Sequence, residues 1–194
     1  DMKRSSSPPV VVAAGQIQSR LMNEASATLQ SIGETIREAA RQKARLLVLP
    51  ECAYPAYLLG SVDSYRAGDH LSSREFTDWL AAQAAEHGMY IVSGFVEDTG
   101  ESLFNAALLI GPDGRIIGRT RKRFLWNVDQ DWFTPGEEIT TFATEIGRIG
   151  IIICAEARVP EIIATLAAQG ADLIAMPTCW INNARQPGEY CNPQ

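Results

Sequence analysis

Four short runs in this chain carry no polar side chain on either face, and each stops at residues able to do chemistry. Val10–Ala14 gives way to Gly15-Gln16, Leu46–Leu49 to Pro50-Glu51, Ile149–Ile153 to Cys154, and Leu173–Met176 to Pro177-Thr178. A strand with one wet face alternates apolar and polar residues, whereas a strand with no polar residue is covered on both sides. Open α/β sheets are built from such strands, and their ligand crevice lies beyond the carboxyl ends. A single crevice can therefore collect Glu51 and Cys154, although they are far apart in sequence.

Helical periods fill the gaps between the runs. From about Asn23 to Lys43, Leu29, Ile32, Ile36 and Ala39 keep one apolar face, with Glu34, Arg37, Glu38 and Arg41 opposite. Ser72 and Glu75 have capping-box spacing and open a helix carrying Phe76, Trp79, Leu80 and Ala84, which closes at Gly88. Pro160-Glu161 begins another that runs through Leu166 and stops at Gly170. Met89–Val96 reads as a strand, as does Ile139–Ala143. Ala106–Ile110 and Ile116–Arg121 read as a hairpin around Gly111-Pro112-Asp113-Gly114. That glycine pair joins two strands and opens no helix, so it is a turn and not a phosphate loop. Residues 1–9, polar and Ser-rich, read as a disordered leader. Residues 10–194 read as one α/β domain. Beyond Pro177 the pattern dissolves into turn residues, so the domain is expected to be unfinished at its C-terminus.

Composition narrows the function. With 46% hydrophobic and 21% charged residues, the chain can build a substantial core. Its net charge of −6, with no basic run beyond Arg119–Arg123, argues against nucleic acid or an anionic membrane as partner. No apolar run is long enough to span a bilayer, and no signal peptide is visible. Cys52, Cys154, Cys179 and Cys191 form no CxxC pair and no zinc-like spacing with the two histidines. Reduced thiols in a cytoplasmic protein without metal are the simplest account.

Cys154 lies between a buried strand and a helix start, where unpaired N–H groups and the helix dipole favour thiolate. The plain alternative is a buried structural cysteine. A nucleophilic thiol needs a base, and neither histidine suits: His87 sits at a helix C-terminus and His70 beside Asp69 in a loop. A carboxylate base with a separate cation for the oxyanion fits better, and Glu51 and Lys122 are the candidates. Taken alone, Glu51 reads as a solvated strand-end glutamate and Lys122 as one charge in the cluster with Arg119, Arg121 and Arg123.

Together these residues resemble the nitrilase superfamily of carbon–nitrogen hydrolases. Leu49-Pro50-Glu51 is similar to its glutamate motif, Arg121-Lys122 to its lysine motif, and Cys154 through Glu161 (CAEARVPE) to its cysteine elbow. The three occur in the family's order, and the likeness runs from the Val10 strand to Pro177-Thr178. The resemblance implies a four-layer αββα sandwich and a Cys154–Glu51–Lys122 triad that needs no metal or organic cofactor. It implies that Glu51 takes the thiol proton and later activates water, that Cys154 forms a thioester, and that Lys122 with the backbone N–H of Ala155 holds the oxyanion. Tyr57, Trp126, Trp132 and Trp180 are candidates to line the acyl pocket, at least two of them serving only in packing.

Two departures accompany the likeness. Many amidase members carry a second glutamate four residues before a Phe-x-Pro-Gly segment; here that segment is Phe133–Gly136 and the position holds Asp129, one methylene shorter, as the substrate-positioning residue. Family members also continue beyond this length. Ala155 replaces the Trp that follows the cysteine in nitrilases proper, and Arg158 with Pro160-Glu161 resembles the amide-hydrolysing branches. The expected reaction is hydrolysis of a small linear amide with water, releasing ammonia or an amine, by a homo-oligomer. An N-carbamoyl amidohydrolase or a nitrilase of the same superfamily is the alternative within it. Two readings from other classes are a catalytically silent binding or assembly module and a redox sensor pairing Cys154 with Cys179.

Overall fold

The computed structural model describes residues 9–179. Strands β1 (Val12–Ala14) and β2 (Leu46–Val48) are joined by a 3-10 turn and helix α1 (Ala25–Arg41). Helices α2 (Val62–Arg66) and α3 (Ser73–His87) lead into β3 (Tyr90–Asp98), β4 (Leu103–Ile110) and β5 (Ile116–Arg121). These five strands form one sheet in chain order, parallel from β1 to β3 and antiparallel from β3 to β5. After the one-turn helix α4 (Asp129–Trp132), strands β6 (Thr141–Thr144), β7 (Gly147–Ile151) and β8 (Leu173–Ala175) make a second sheet, with helix α5 (Pro160–Ala168) between β7 and β8.

The buried clusters define the layers. Ile32 and Ile36 of α1 and Phe76 and Leu80 of α3 pack on Ile91 and Phe95 of the first sheet. The other face of that sheet, through Leu46, Val92 and Leu109, meets Ile149, Ile151 and Ile153. Ile152 points the opposite way, onto Ile162 and Leu166 of α5. The order is helix, sheet, sheet, helix: the αββα sandwich. The wholly apolar run Ile149–Ile153 is explained, since odd residues fill the space between the sheets and Ile152 faces a helix.

The Ser72–Glu75 box caps α3, with Ser72 N–H donating to Glu75 Oε2 at 2.8 Å and Glu75 N–H to Ser72 Oγ at 3.2 Å. Gly88 ends that helix in the left-handed conformation. The Gly111–Gly114 segment is the expected hairpin turn, closed by Gly111 N–H to Arg115 O at 2.8 Å. The first run differs from expectation: only Val12–Ala14 pairs, β1 is an edge strand, and Val10, Val11 and Val12 are exposed. Its β-branched composition reflects strand propensity rather than burial on both faces. Among the described residues no helix is long and apolar enough to cross a membrane. The leader expected over residues 1–9 and the end expected beyond Cys179 lie outside the described residues, apart from Pro9.

Candidate active site

Glu51 is placed by a close crossing of backbones. Past β2 the chain keeps its pairing, with Leu49 N–H donating to Val92 O at 2.8 Å and Gly94 N–H to Pro50 O at 3.0 Å. A Cβ on Gly94 would stand 2.5 Å from Pro50 O and 2.6 Å from Glu51 Cα, so only glycine lets the loop lie against β3. Cys52 then turns the chain at φ +42°, and the Glu51 side chain is driven inward.

Lys122 is the first residue past β5. Its N–H donates to Asn105 O at 2.7 Å, and its carbonyl accepts from Gly136 N–H at 2.8 Å. Its ammonium lies between two carboxylates, 2.6 Å from Glu51 Oε1 and 2.5 Å from Asp129 Oδ2. All three side chains are at most 1% exposed. Each remaining acceptor is supplied. Asn105 Nδ2 donates to Glu51 Oε1 at 2.8 Å and Cys179 N–H to Glu51 Oε2 at 3.0 Å. Tyr57 Oη donates to Asp129 Oδ1 at 2.9 Å and Trp126 N–H to Asp129 Oδ2 at 3.0 Å. Burial alone would depress the Lys122 ammonium, but the charges of Glu51 and Asp129 outweigh it and hold the group well above the ordinary lysine range.

Cys154 follows the apolar run at φ +47°, a left-handed conformation that a non-glycine residue holds only when its surroundings enforce it. Two contacts enforce it. Cys154 N–H donates to Pro177 O at 3.0 Å. Glu156, fully buried, accepts from Ile153 N–H at 2.7 Å and from Arg123 N–H, Nε and Nη2 at 2.8, 2.8 and 2.7 Å. Because Arg123 is the neighbour of Lys122, this carboxylate ties the cysteine turn to the lysine segment.

The ionisation of the thiol reverses the expectation of a thiolate. Burial first, and then the charge of Glu51 and its hydrogen bond, push the Cys154 thiol up to about 12, against the pull of Lys122. The local reason is visible in the fold: a 3-10 turn (Cys154–Arg158) separates the cysteine from α5, which begins only at Pro160. The helix dipole therefore does not act directly on the sulfur.

Cys154 and Lys122 line a cavity of about 570 Å³, together with Tyr57 and Ala155. Phe124, Leu125, Trp126 and Met176 give it an apolar wall, and the Arg158 guanidinium stacks 4.5 Å over the Trp126 ring. Of the expected pocket residues, Tyr57, Trp126 and Ala155 line it. Trp132 does not; it packs edge-on against Phe133 in the cluster beneath. Asp129, expected to position substrate, is fully buried, its oxygens bonded to Lys122, Tyr57 and Trp126. Trp180 lies outside the described residues. Asn105 and Glu156 carried no expected role. The signal for Asn105 was a lone polar residue in the otherwise apolar strand LFNAALLI. His70 faces the carbonyls of Tyr65 and Leu71, away from the thiol. Among the described residues no group of three or more His, Cys, Asp or Glu could hold a metal ion.

Comparison with known proteins follows the same lines. The profile of the carbon–nitrogen hydrolase family matches residues 11–193. A nitrilase of Pyrococcus abyssi is 35% identical over 144 residues, covering 73% of this chain and 55% of that protein. An omega-amidase of Danio rerio is 30% identical over 152 residues, covering 73% of this chain and 54% of that protein. The chain thus spans about half the length of the curated relatives it matches. An amidase of Nesterenkonia sp. AN1 has the same fold, with a TM-score of 0.77 at 21% identity over 90% of this chain and 69% of that one. That structure is a Glu-to-Gln mutant whose active-site cysteine has taken up acrylamide by Michael addition.

Proposed function

The chain belongs to the carbon–nitrogen hydrolase family, and from that premise we propose that it hydrolyses a non-peptide linear amide through a thioester on Cys154. The observation that carries this reading is the Glu51–Lys122 pair, 2.6 Å apart and buried, set beside the Cys154 thiol that lines an apolar cavity. Glu51 is the base, Cys154 the nucleophile, and Lys122 with the Ala155 N–H the oxyanion-holding pair. Asp129 and Tyr57 keep Lys122 charged and in place.

The thiol rests as S–H. As the amide carbon approaches, Sγ bonds to it while the thiol proton passes to Glu51, and the carbonyl oxygen takes up negative charge beside Lys122. The protonated Glu51 then gives its proton to the leaving nitrogen, the C–N bond breaks, and ammonia or an amine departs. Water repeats the sequence on the thioester and releases the acid. The amide reading is preferred to the nitrile because Ala155 stands after the cysteine, where nitrilases proper carry Trp. It is supported by the omega-amidase among the relatives, although a nitrilase is equally among them.

Incubation with a panel of aliphatic amides, N-carbamoyl compounds and nitriles, read by ammonia release and intact mass, tests the assignment. The expected result is ammonia from at least one amide and an acyl adduct on Cys154 that the Cys154→Ala variant lacks. No ammonia and no adduct across the panel would leave a binding or assembly module as the better account.

A further inference from the structure

The triad is approached from two cavities, and it is divided between them. Cys154 and Lys122 line the apolar cavity, and Glu51 does not. Glu51 lines a second cavity, of about 270 Å³, that neither Cys154 nor Lys122 reaches. Tyr57, Thr178 and Cys179 line both, and so form the partition. The strand ends explain the arrangement. Two of the four apolar runs deliver Glu51 and Cys154, and the polar groups ending the other two, Gln16 and Thr178, both face the second cavity.

The linings differ in chemistry. Rings and aliphatic groups wall the first cavity and suit an acyl chain. Gln16, Gln18, Ser19, Arg20, Thr28 and Thr178 supply amide, hydroxyl and guanidinium groups to the second, and such groups hold water. At roughly 30 Å³ per liquid water, it has room for several molecules.

Resting on the thioester reading, we propose that the second cavity is the water subsite of the deacylation step. Once acylated, Cys154 carries the acyl group into the apolar cavity and closes that approach. Glu51, 1% exposed, must still receive water. Its Oε1 is occupied by Lys122 Nζ and Asn105 Nδ2. Its Oε2 accepts from the N–H of Cys179, a residue that lines both cavities, and the carboxylate also accepts from the Cys154 thiol, so water entering from the second cavity meets Glu51 beside the sulfur. Water passes Thr178 and Cys179, its oxygen bonds to the thioester carbon, and its proton goes to Glu51. The C–S bond breaks, Sγ recovers the proton from Glu51, and a carboxylic acid and a free thiol remain. Nothing else is consumed.

The test plugs the second cavity from its exposed wall, with Gln18→Trp and, independently, Gln16→Trp in the full chain. The p-nitrophenyl ester of a short fatty acid serves as the probe: the nitrophenolate burst reads acylation, the steady state reads deacylation, and intact mass reads the thioester. The expected result is a burst as in the parent protein, a steady state lower by about tenfold or more, and an accumulating acyl-enzyme. Added hydroxylamine, larger than water, should also lose more of its ability to capture the thioester in the plugged variants. Burst and steady state falling together, or neither changing in either variant, overturns the proposal. A parent protein with no burst and no acyl-enzyme refutes the thioester itself, a result distinct from either.

Discussion

Replacing Glu51 by glutamine keeps the shape of the side chain and should drive two properties of Cys154 in opposite directions. In the parent protein the thiol is pushed from 9.0 up to about 12, by burial first and by Glu51 next, against the attraction of Lys122. At pH 8 a group at about 12 is ionised to about one part in 10,000, whereas one at 9.0 is ionised to about a tenth, a ratio of about a thousand. Thiolates lose intrinsic nucleophilicity as they become more acidic, with a Brønsted slope of about 0.4–0.5, which trims the ceiling to roughly thirty- to sixtyfold. Burial persists in Glu51→Gln, so the gain in alkylation rate should fall short of that ceiling, at about five- to twentyfold. Hydrolysis should drop by about 10²–10⁴, the usual worth of a positioned base. The assay is the pseudo-first-order rate of iodoacetamide addition at pH 8, followed by mass of the Cys154 peptide, beside ammonia release from the best amide. Should alkylation fall in step with hydrolysis, Glu51 is ionising the resting thiol, and the electrostatic account given above is wrong.

Three further outcomes follow from the same geometry. Lys122→Met leaves Glu51 and Asp129 facing each other without their shared cation, and should cost about 3–5 kcal/mol of stability by urea unfolding; an unchanged midpoint would contradict the burial of the pair. Glu156→Gln removes the charge that Arg123 and the Ile153 N–H converge on, and should cost about 1.5–3 kcal/mol and lower kcat while leaving its pH profile in place. Because the folded thiol of Cys154 sits above its ordinary value, its stabilising contribution is complete below about pH 9 and is lost as pH rises toward about 12. Cys154→Ser should therefore lose less Tm than the parent protein between pH 8.5 and pH 10, and an equal loss would argue against the shift.

What could be read from the sequence was whatever local pattern determines. The apolar runs mark β1, β2, β7 and β8, two strands of each sheet, although β1 lies exposed at an edge and owes its pattern to strand propensity rather than to burial. The Ser72–Glu75 pair marks its helix start, and the three motifs name the groups that the fold then brings together. What escaped depends on distance in space. Glu156 stood in the cysteine elbow as one acidic residue among several, and only its convergence with Arg123 and the Ile153 N–H gives it a task. Gly94 interrupts β3 as a glycine that any strand can contain, until the Glu51 loop is seen lying against it. Asp129 was expected to position substrate, and its contacts with Lys122, Tyr57 and Trp126 come from parts of the chain that the motif alone does not bring beside it. The thiol's protonation turned on burial and on a carboxylate more than a hundred positions away, neither of which the strand-to-helix pattern around Cys154 contains.

The surplus of negative charge explains how a buried ion pair can serve catalysis instead of only stability. At rest Lys122 is shared by two carboxylates, and burial and the charge of Glu51 favour the protonated form of the thiol beside them. In the proposed reaction the thiol proton moves to Glu51 as Sγ bonds to carbon. That transfer neutralises one of the two counter-charges of Lys122 at the moment when negative charge grows on the substrate oxygen. The field of the ammonium, satisfied in the ground state, is thereby released toward the oxyanion, and the interaction strengthens in the transition state relative to the bound substrate, the condition for raising kcat. Asp129, which is outside the proton's path, keeps its contact with Lys122 and holds the ammonium in place as Glu51 changes charge. An aspartate that touches no substrate can thus be required for turnover, because it holds the cation ready while its other partner is being neutralised.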